Sequence, residues 1–308
     1  MPNTLAHLGL QPLLTRTAMP GADLKWIWAG CVLPDVPWIG QRLMRAMAPD
    51  VSGLDVRLYA AGQSSLFATL ILAAALAMLA RRPGPVFAIL AAGAVMHLLL
   101  DAMQTKWANG VLLFAPFSWE LVNFGLFWPE DRLTYVLTAL GAGYAIWAIL
   151  RERPVAIRLL APRGRRWAAA AGLGLLYLAA PLIYLEPAER ADLHHVATLR
   201  DVAARPGKPI EIDRTAIVWR DGVPVARLSM GPELVLTGAV PPGVTRASIR
   251  GTFVDEGTVE VQEIHVHPGD RRALMTLAGL LIVAGWWAAA AILRPARDQV
   301  EMTAHGPQ

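Results

Sequence analysis

The chain has a single cysteine, Cys31, and few charged residues. One cysteine excludes an internal disulfide and any zinc site built from several thiolates. Charged residues make up only 17% of the 308 residues, whereas 55% are hydrophobic, and the mean hydropathy is +0.41. A soluble domain of this length rarely has so little charge, so the composition favours a polytopic membrane protein.

Apolar runs long enough to cross a bilayer recur along the chain. They predict five long spans, over residues 58–80, 86–103, 133–150, 167–185 and 273–293. Two shorter apolar helices, over residues 3–17 and 23–33, precede them and form a hairpin because Pro20 and Gly21 break the chain between them. The hairpin either enters the membrane or lies on its surface. The predicted fold class is a mainly α, polytopic membrane helical bundle of five long spans plus a short N-terminal helical hairpin.

Residues 186–272 have a different pattern, in which apolar and polar residues alternate as in half-buried strands. Turns are predicted at Asp221-Gly222 and at residues 241–243. Short strands are predicted over residues 209–213, 216–219, 233–236, 247–254 and 258–267, with a leading helix over residues 193–204. Such a series is typical of a small β-barrel of the OB type. We therefore predict a membrane helical domain with a metal site (1–185), an inserted extracytoplasmic OB-like β-barrel domain (186–272), and a final transmembrane helix with a cytoplasmic tail (273–308).

Arginines cluster at one end of the predicted spans, at residues 81–82, within residues 151–166, and at Arg294 and Arg297. The positive-inside rule makes that side cytoplasmic. We predict a multi-pass protein of the bacterial inner membrane with an extracytoplasmic β-domain and a cytoplasmic C-terminus. The lipid bilayer is then one partner, and residues 186–272 can bind a protein. No nucleic acid is expected, because the β-domain lacks a stripe of basic and aromatic residues.

His97 and Asp101 are the ionisable residues of the second apolar run and lie four residues apart, on one face of a helix. Ionisable residues at membrane depth are costly and mark functional sites. The N-terminal hairpin brings His7 and Asp35 to the same outer end. Two imidazoles and two carboxylates suit zinc, Mn²⁺ or Fe²⁺ without a thiolate, so we predict a divalent metal site, with zinc as first choice. The alternative is that His97 and Asp101 only hydrogen-bond each other or backbone carbonyls.

Four short segments, residues 1–7, 31–35, 97–105 and 112–118, occur in an order that resembles a known family. They are similar to the membrane-bound metal-dependent hydrolase family, the group that includes a LexA-binding inner-membrane protein. The resemblance covers about residues 1–130 of the chain. It implies that the four predicted ligands, His7, Asp35, His97 and Asp101, bind the metal. It also implies that Thr105 and Ser118 occupy neighbouring polar positions.

The chain departs from this family in one segment. The family carries Gly-His-Arg-Gly-x-Thr-His-Ser before its first long span, whereas residues 59–66 here contain no histidine. Gln63 and Ser65, together with Thr105, are the candidates to support the metal ligands in place of those histidines.

The resemblance implies metal-dependent hydrolysis. It does not carry over a substrate, and our own hypothesis is a phosphoester or lipid-linked compound. No side chain is predicted to be catalytic itself, because a divalent ion lowers the pKa of water toward ~7 and thereby supplies the nucleophile. The alternative is a non-catalytic membrane scaffold or partner-binding protein with a structural polar or metal cluster.

Four more histidines lie in or near the β-domain, namely His194, His195, His265 and His267. His265 and His267 alternate on a predicted strand and therefore share a face. Adjacent histidines point apart, and no carboxylate motif accompanies either pair. We predict that all four lie on a solvated surface rather than in a second metal site.

Overall fold

The computed structural model describes residues 3–157, 164–269 and 271–293. The predicted cytoplasmic tail from residue 294 onward and part of the arginine-rich segment 151–166 lie outside the described residues. The helices are α1 (Thr4–Ala18), α2 (Leu24–Val32), α3 (Val36–Met47), α4 (Gly53–Ser64), α5 (Leu66–Leu79), α6 (Pro83–Ala102), α7 (Arg132–Arg151), α8 (Arg165–Ile183), α9 (Leu185–Arg190), α10 (Val196–Arg200) and α11 (Arg271–Ile292). The strands are β1 (Pro209–Arg220), β2 (Val223–Arg227), β3 (Glu233–Gly238), β4 (Arg246–Phe253) and β5 (Thr258–Val266).

Four of the described helices, α6, α7, α8 and α11, are long and apolar enough to cross a membrane. They confirm four of the five predicted spans. Residues 58–80 are covered by two helices, α4 and α5, with a bend of 66° between them, and by length and composition the pair is either one broken span or a re-entrant loop. At the bend the Ser64 hydroxyl donates to the Ala61 carbonyl, and Ser65 Oγ accepts from the Ala68 amide as the N-cap of α5. Serine hydroxyls that bond to nearby backbone groups in this way end one helix and start the next.

The N-terminal hairpin lies within the helical bundle, with α1 packed along α7 and α2 along α6. Glycines permit both close contacts. A methyl group on Gly141 would collide with the Leu5 carbonyl oxygen, and one on Gly93 would lie 2.9 Å from the Gly30 Cα. Small residues at helix contacts are typical of membrane bundles, where they let backbones approach closely. These contacts set the depth at which the start of α1 meets α6.

The β-domain is a separate five-stranded sheet, as predicted, and its strand order is β1-β2-β3-β5-β4. The sheet closes because β4 also pairs with β1, and the only parallel pair in this order is β3 with β5. The two strands predicted at residues 209–213 and 216–219 are one strand, β1, with a register shift between Ile212 and Thr215. Strand β2 was not predicted, although the Asp221-Gly222 turn that leads into it was. Both turn residues have positive φ, as tight hairpins require.

The helix predicted over residues 193–204 is instead the short helix α10 between two 3₁₀ turns, Leu193–His195 and Val202–Ala204. His194 and His195 have φ of 56° and 57°. These angles belong to the left-handed region, so they interrupt any helix over this segment.

The loop between α6 and α7 lies between the helical bundle and the β-domain. The Ala108 amide donates to Glu211 Oε2 at 2.6 Å, and Asn109 Nδ2 donates to Asp213 Oδ2 at 3.0 Å. The Arg250 guanidinium lies 4.6 Å from the centre of the Trp107 ring. The β-domain is therefore docked on the loop that follows the predicted ligand Asp101.

Candidate metal centre

The four predicted ligands meet at one end of the bundle, and we call them the membrane cluster: His7, Asp35, His97 and Asp101. His7 Nε2 lies 3.5 Å from Asp101 Oδ1. His97 Nε2 lies 3.6 Å from Asp35 Oδ1 and 3.8 Å from Asp101 Oδ2. The two imidazole rings stack with their centres 4.1 Å apart. The cluster thus joins side chains that are up to 94 residues apart in the sequence, from His7 to Asp101.

Local structure explains how each predicted ligand is positioned. His97 and Asp101 are one turn apart near the end of α6. Asp35 ends the 3₁₀ turn Leu33–Asp35 that follows α2, and its side chain makes no capping hydrogen bond to α3. His7 is fixed because the preceding Asn3 side chain caps α1 and also donates to Thr138 Oγ1 of α7 at 2.6 Å. The four ligands therefore come from three elements, namely α1, the 3₁₀ turn after α2, and α6.

The proton of His97 is assigned by its neighbour. Nδ1 lies 2.6 Å from the carbonyl oxygen of Cys31, an atom that can only accept a hydrogen bond. Nδ1 must therefore carry a proton, and Nε2 is the ring nitrogen that faces the two carboxylates. Among the described residues this nitrogen has no hydrogen-bond partner. A histidine whose second nitrogen donates to a carbonyl is the arrangement that orients metal-binding imidazoles.

His7 is oriented by Gln11, one turn further along α1. Gln11 Nε2 lies 3.0 Å from His7 Nδ1, while Gln11 Oε1 and His7 Nε2 have no hydrogen-bond partner among the described residues. A 180° rotation of the amide places Oε1 on Nδ1, which then carries the proton. In that arrangement His7 Nε2 also presents a lone pair to the cluster, and Gln11 supports it as the Cys31 carbonyl supports His97.

The membrane cluster is closed. The side chains of His7 and His97 are 0% and 1% exposed, and those of Asp35 and Asp101 are each 8% exposed. Lys106 Nζ lies 3.7 Å from Asp101 Oδ2, and the guanidinium group of Arg272 acts electrostatically on both Asp101 and Asp35. The ligand atoms of His7, His97 and Asp101 all lie within 4.8 Å of one another, close enough to hold one ion. Two carboxylates and two imidazoles are donor types that suit a divalent cation.

The side chains predicted to support the ligands bond elsewhere. Gln63 Nε2 donates to the Tyr59 hydroxyl at 3.2 Å, and the Ser65 hydroxyl donates to the Gly62 carbonyl at 2.7 Å. Thr105 is held through its backbone amide, which donates to the Phe127 carbonyl, and Ser118 Oγ accepts from the Glu120 amide in an exposed turn. The groups that contact the cluster are instead Gln11, the Cys31 carbonyl and Lys106. Of these, Gln11 could have been found from its spacing, four residues after His7.

A second group of histidines and a carboxylate lies between the loop and the β-domain, and we call it the interface cluster: Glu130, His265 and His267. His267 Nδ1 lies 2.6 Å from Glu130 Oε1, and His265 Nε2 lies 3.5 Å from Glu130 Oε2. His265 also stacks on Trp128 with ring centres 3.6 Å apart. The prediction of a solvated surface is wrong for this pair, because Glu130, 135 residues or more away in sequence, meets it in the tertiary structure.

The side chains of the interface cluster also have polar and charged partners of their own. Arg214 Nη1 donates to Glu130 Oε1 at 2.6 Å, and Ser248 Oγ lies 2.8 Å from His267 Nε2. His267 and Arg214 hold the pKa of Glu130 down, to about 2 against an ordinary value of 4.5, although partial burial opposes them. The three ligand atoms are close enough to hold an ion. The guanidinium group already supplies the positive charge there, so this cluster fits an interdomain contact better than a metal site.

His194 is buried as well, whereas His195 is partly exposed. His194 Nδ1 lies 2.8 Å from the Ala108 carbonyl, and the Glu211 amide donates to His195 Nε2 at 3.2 Å. Both histidines therefore connect the segment before the β-domain to its neighbours, and the prediction of a solvated surface is wrong for His194.

Comparisons of the chain with protein-family models, with curated proteins and with solved structures return no match. The resemblance to the membrane-bound metal-dependent hydrolases therefore stays a prediction.

Proposed function

We propose that this chain is a membrane-bound metal-dependent hydrolase in which His7, Asp35, His97 and Asp101 hold a divalent ion, with zinc as first choice. The observation that carries the proposal is the bond between His97 Nδ1 and the Cys31 carbonyl, since it directs Nε2, which has no hydrogen-bond partner among the described residues, toward two carboxylates. A buried polar atom without a partner is costly unless something binds it. A divalent cation bound to the neutral ring satisfies it.

The ion, when bound, supplies Lewis acidity and lowers the pKa of water toward ~7. The chain's own residues bind and orient. Lys106, which contacts Asp101, also lines a cavity of about 330 Å³ beside Trp107, Asn123 and Arg250. We infer that an anionic substrate reaches the cluster through this cavity, with the Lys106 ammonium group orienting it. A phosphoester fits this charge.

Helix α3 supports the membrane placement of the site. It begins directly after Asp35, and one face carries large exposed apolar side chains, those of Val36, Ile39, Leu43, Met44 and Met47. Arg42 and Arg45 belong to the same helix. Such a helix lies in the plane of a membrane interface. We propose that it rests in the outer leaflet of a bacterial inner membrane, next to the site, so that a lipid-linked substrate can enter from there.

The same orientation places the β-domain outside the cytoplasm, in agreement with the arginines at the other end of the spans. The closed sheet with its parallel β3–β5 pair supports an OB-like assignment. We propose that its outer surface binds a protein partner.

Metal analysis of the full chain, purified in detergent without chelators, tests the proposal. We expect about one zinc per chain in the wild type, as four protein ligands predict, and none in His97→Ala or Asp35→Ala. His195→Ala is the matched control because its imidazole lies outside the membrane cluster, and it should keep the metal. A wild type without stoichiometric metal contradicts the hydrolase assignment.

The second candidate function is a non-catalytic scaffold, which the closure of the membrane cluster favours, since no ligand side chain is more than 8% exposed. Incubating the metal-loaded protein with a chromogenic phosphodiester separates the two. Turnover that His97→Ala abolishes supports the hydrolase, whereas stoichiometric metal without turnover of any phosphoester supports the scaffold.

A further inference from the structure

A cavity of about 380 Å³ lies between α4 and the β-domain, and it shares no residue with the membrane cluster. We call it the arginine cavity because four arginines line it, Arg57, Arg214, Arg227 and Arg246. Two carboxylates, Glu211 and Asp213, also line it. The lining thus holds more positive than negative side chains.

Both carboxylates accept hydrogen bonds from groups other than Arg57. Glu211 accepts from Arg250 Nε at 2.7 Å and from the Ala108 amide. Asp213 accepts from Asn109 Nδ2 at 3.0 Å and from Ser248 Oγ at 3.2 Å. Neither carboxylate lies within ion-pair distance of Arg57 among the described residues.

Three of the four arginines have partners, whereas Arg57 has no ion pair among the described residues. Arg214 pairs with Glu130, Arg227 pairs with Glu233, and Arg246 also interacts with another group. The Arg57 guanidinium lies 5.9 Å from the centre of the Trp38 ring, and its Nη2 lies 3.4 Å from His194 Nδ1. That nitrogen also faces the Ala108 carbonyl at 2.8 Å and so must carry a proton. Two donors face each other, and within the part of the chain that the structure describes the Arg57 guanidinium has no acceptor.

The electrostatics of His194 agree with this proton assignment. Burial, and then the charge of Arg57, lower the pKa of His194 to about 3. The ring is therefore neutral at physiological pH and has one proton, which the Ala108 carbonyl accepts. His194 Nδ1 consequently cannot accept a hydrogen bond from Arg57.

Unusual backbone conformations also gather at this cavity. The described residues include six non-glycine residues with positive φ, and three of them, Ala108, His194 and Arg214, line the cavity. Asp192 and His195 flank His194 in sequence. The sixth, Asp221, belongs to the hairpin turn between β1 and β2. Strained backbone that a structure maintains away from tight turns tends to mark ligand sites.

We propose that the arginine cavity binds a phosphate group, with Arg57 as its principal donor. A guanidinium group matches the geometry of an oxyanion with two parallel hydrogen bonds. Arg57 is the lining guanidinium group without an ion pair among the described residues, and a phosphate group in the cavity would supply its acceptor. Leu54, Leu199 and Met230 give the cavity an apolar wall that can contact the organic part of the ligand.

Calorimetric binding to the full chain in phosphatidylcholine nanodiscs tests this site, with inorganic phosphate and a short-chain phosphatidic acid as the two probes. We expect saturable binding of at least one probe to the wild type. Arg57→Gln should weaken it about ten-fold or more, since a charge-assisted pair of hydrogen bonds is lost. Arg57→Lys should weaken it less. The control is Arg220→Gln, an exposed arginine outside the cavity, which should bind as the wild type does.

The pattern of binding identifies the source of the phosphate. Binding of inorganic phosphate indicates a soluble ligand, whereas binding of phosphatidic acid alone indicates a lipid headgroup. Equal binding to wild type and Arg57→Gln, or no binding of either probe, overturns the proposal.

Thermal unfolding without phosphate adds a readout that does not depend on the probe. Arg57→Gln loses the cation–π contact with Trp38 but no ion pair, so its melting temperature should stay close to that of the wild type. Phosphate should then raise the melting temperature of the wild type only. If phosphate raises the melting temperature of Arg57→Gln equally, or if the variant fails to fold, the proposal is overturned.

Discussion

The membrane cluster and the interface cluster use the same residue types but differ in how their hydrogen bonds are completed. In the membrane cluster, His7 Nε2 and His97 Nε2 are buried without a hydrogen-bond partner among the described residues. In the interface cluster, Glu130 contacts Arg214 and both histidines, and His267 contacts Ser248 as well. The hydrogen bonding of the membrane cluster is therefore incomplete, whereas that of the interface cluster is complete.

The difference teaches that ligand type and distance do not by themselves identify a metal site. Both clusters place three ligand atoms within 4.8 Å of one another. Only the membrane cluster combines an oriented imidazole with buried ring nitrogens that have no hydrogen-bond partner among the described residues. A buried polar group without a partner is rare, and it needs a ligand, a water or an ion to explain it.

The largest expected effect is on cobalt binding, which reports the ion's ligands through its visible absorption. We expect Co²⁺-loaded wild type to absorb, His97→Ala to lose the absorption completely, and His267→Ala to retain it. The reason is that only the membrane cluster has buried ring nitrogens without a hydrogen-bond partner among the described residues. Loss of the absorption in His267→Ala alone would reverse the comparison between the two clusters.

The next effect concerns Gln11, which orients His7. Gln11→Leu should weaken metal binding by about 10- to 100-fold, the usual cost of removing a group that hydrogen-bonds a metal ligand. Competition with a chelator of known affinity measures the change. Gln262→Leu, an exposed change on β5, is the control and should leave the affinity alone. An unchanged affinity in Gln11→Leu would mean that His7 is not a ligand through Nε2.

A smaller effect is expected at the interface cluster. Glu130→Gln removes the charge that Arg214 and His267 share, and should lower the free energy of unfolding by about 1–2 kcal/mol, discounted for partial exposure. Thermal unfolding in detergent measures it, and the metal content should not change. Glu233→Gln removes an exposed carboxylate from surface ion pairs and should change the melting temperature less. A loss of metal in Glu130→Gln would show that the two clusters are coupled.

The smallest effect is the pH dependence of the same contact. The pKa of Glu130 falls from 4.5 to about 2 on folding, because His267 and Arg214 favour its charged form despite partial burial. A lowered pKa means that this contribution to stability is fully present above about pH 4.5 and is lost as the pH falls toward about 2. The difference in melting temperature between wild type and Glu130→Gln should therefore shrink over that range. A difference that stays constant down to pH 3 would contradict the ion-pair account.

Much of the helical architecture could be predicted from the sequence because hydrophobic periodicity and span length are local properties. The spans that became α6, α7, α8 and α11 are runs of apolar residues between charged or proline-rich segments. The bend within residues 58–80 could not be predicted from the sequence. The apolar pattern continues past Ser64 and Ser65, and only hydrogen bonds of their hydroxyls separate α4 from α5.

The sequence by itself determined which residues could form a metal site: the spacing of His97 and Asp101 puts them on one helix face, and the turn at Pro20 and Gly21 returns the chain so that Asp35 and His7 share an end. Only the tertiary structure decided which groups support them. The Cys31 carbonyl has no side-chain signature, and Glu130 meets His267 across 137 residues. Periodicity records what neighbours along a helix or strand can do, whereas these contacts depend on how α2 packs on α6 and how the β-domain docks on its loop.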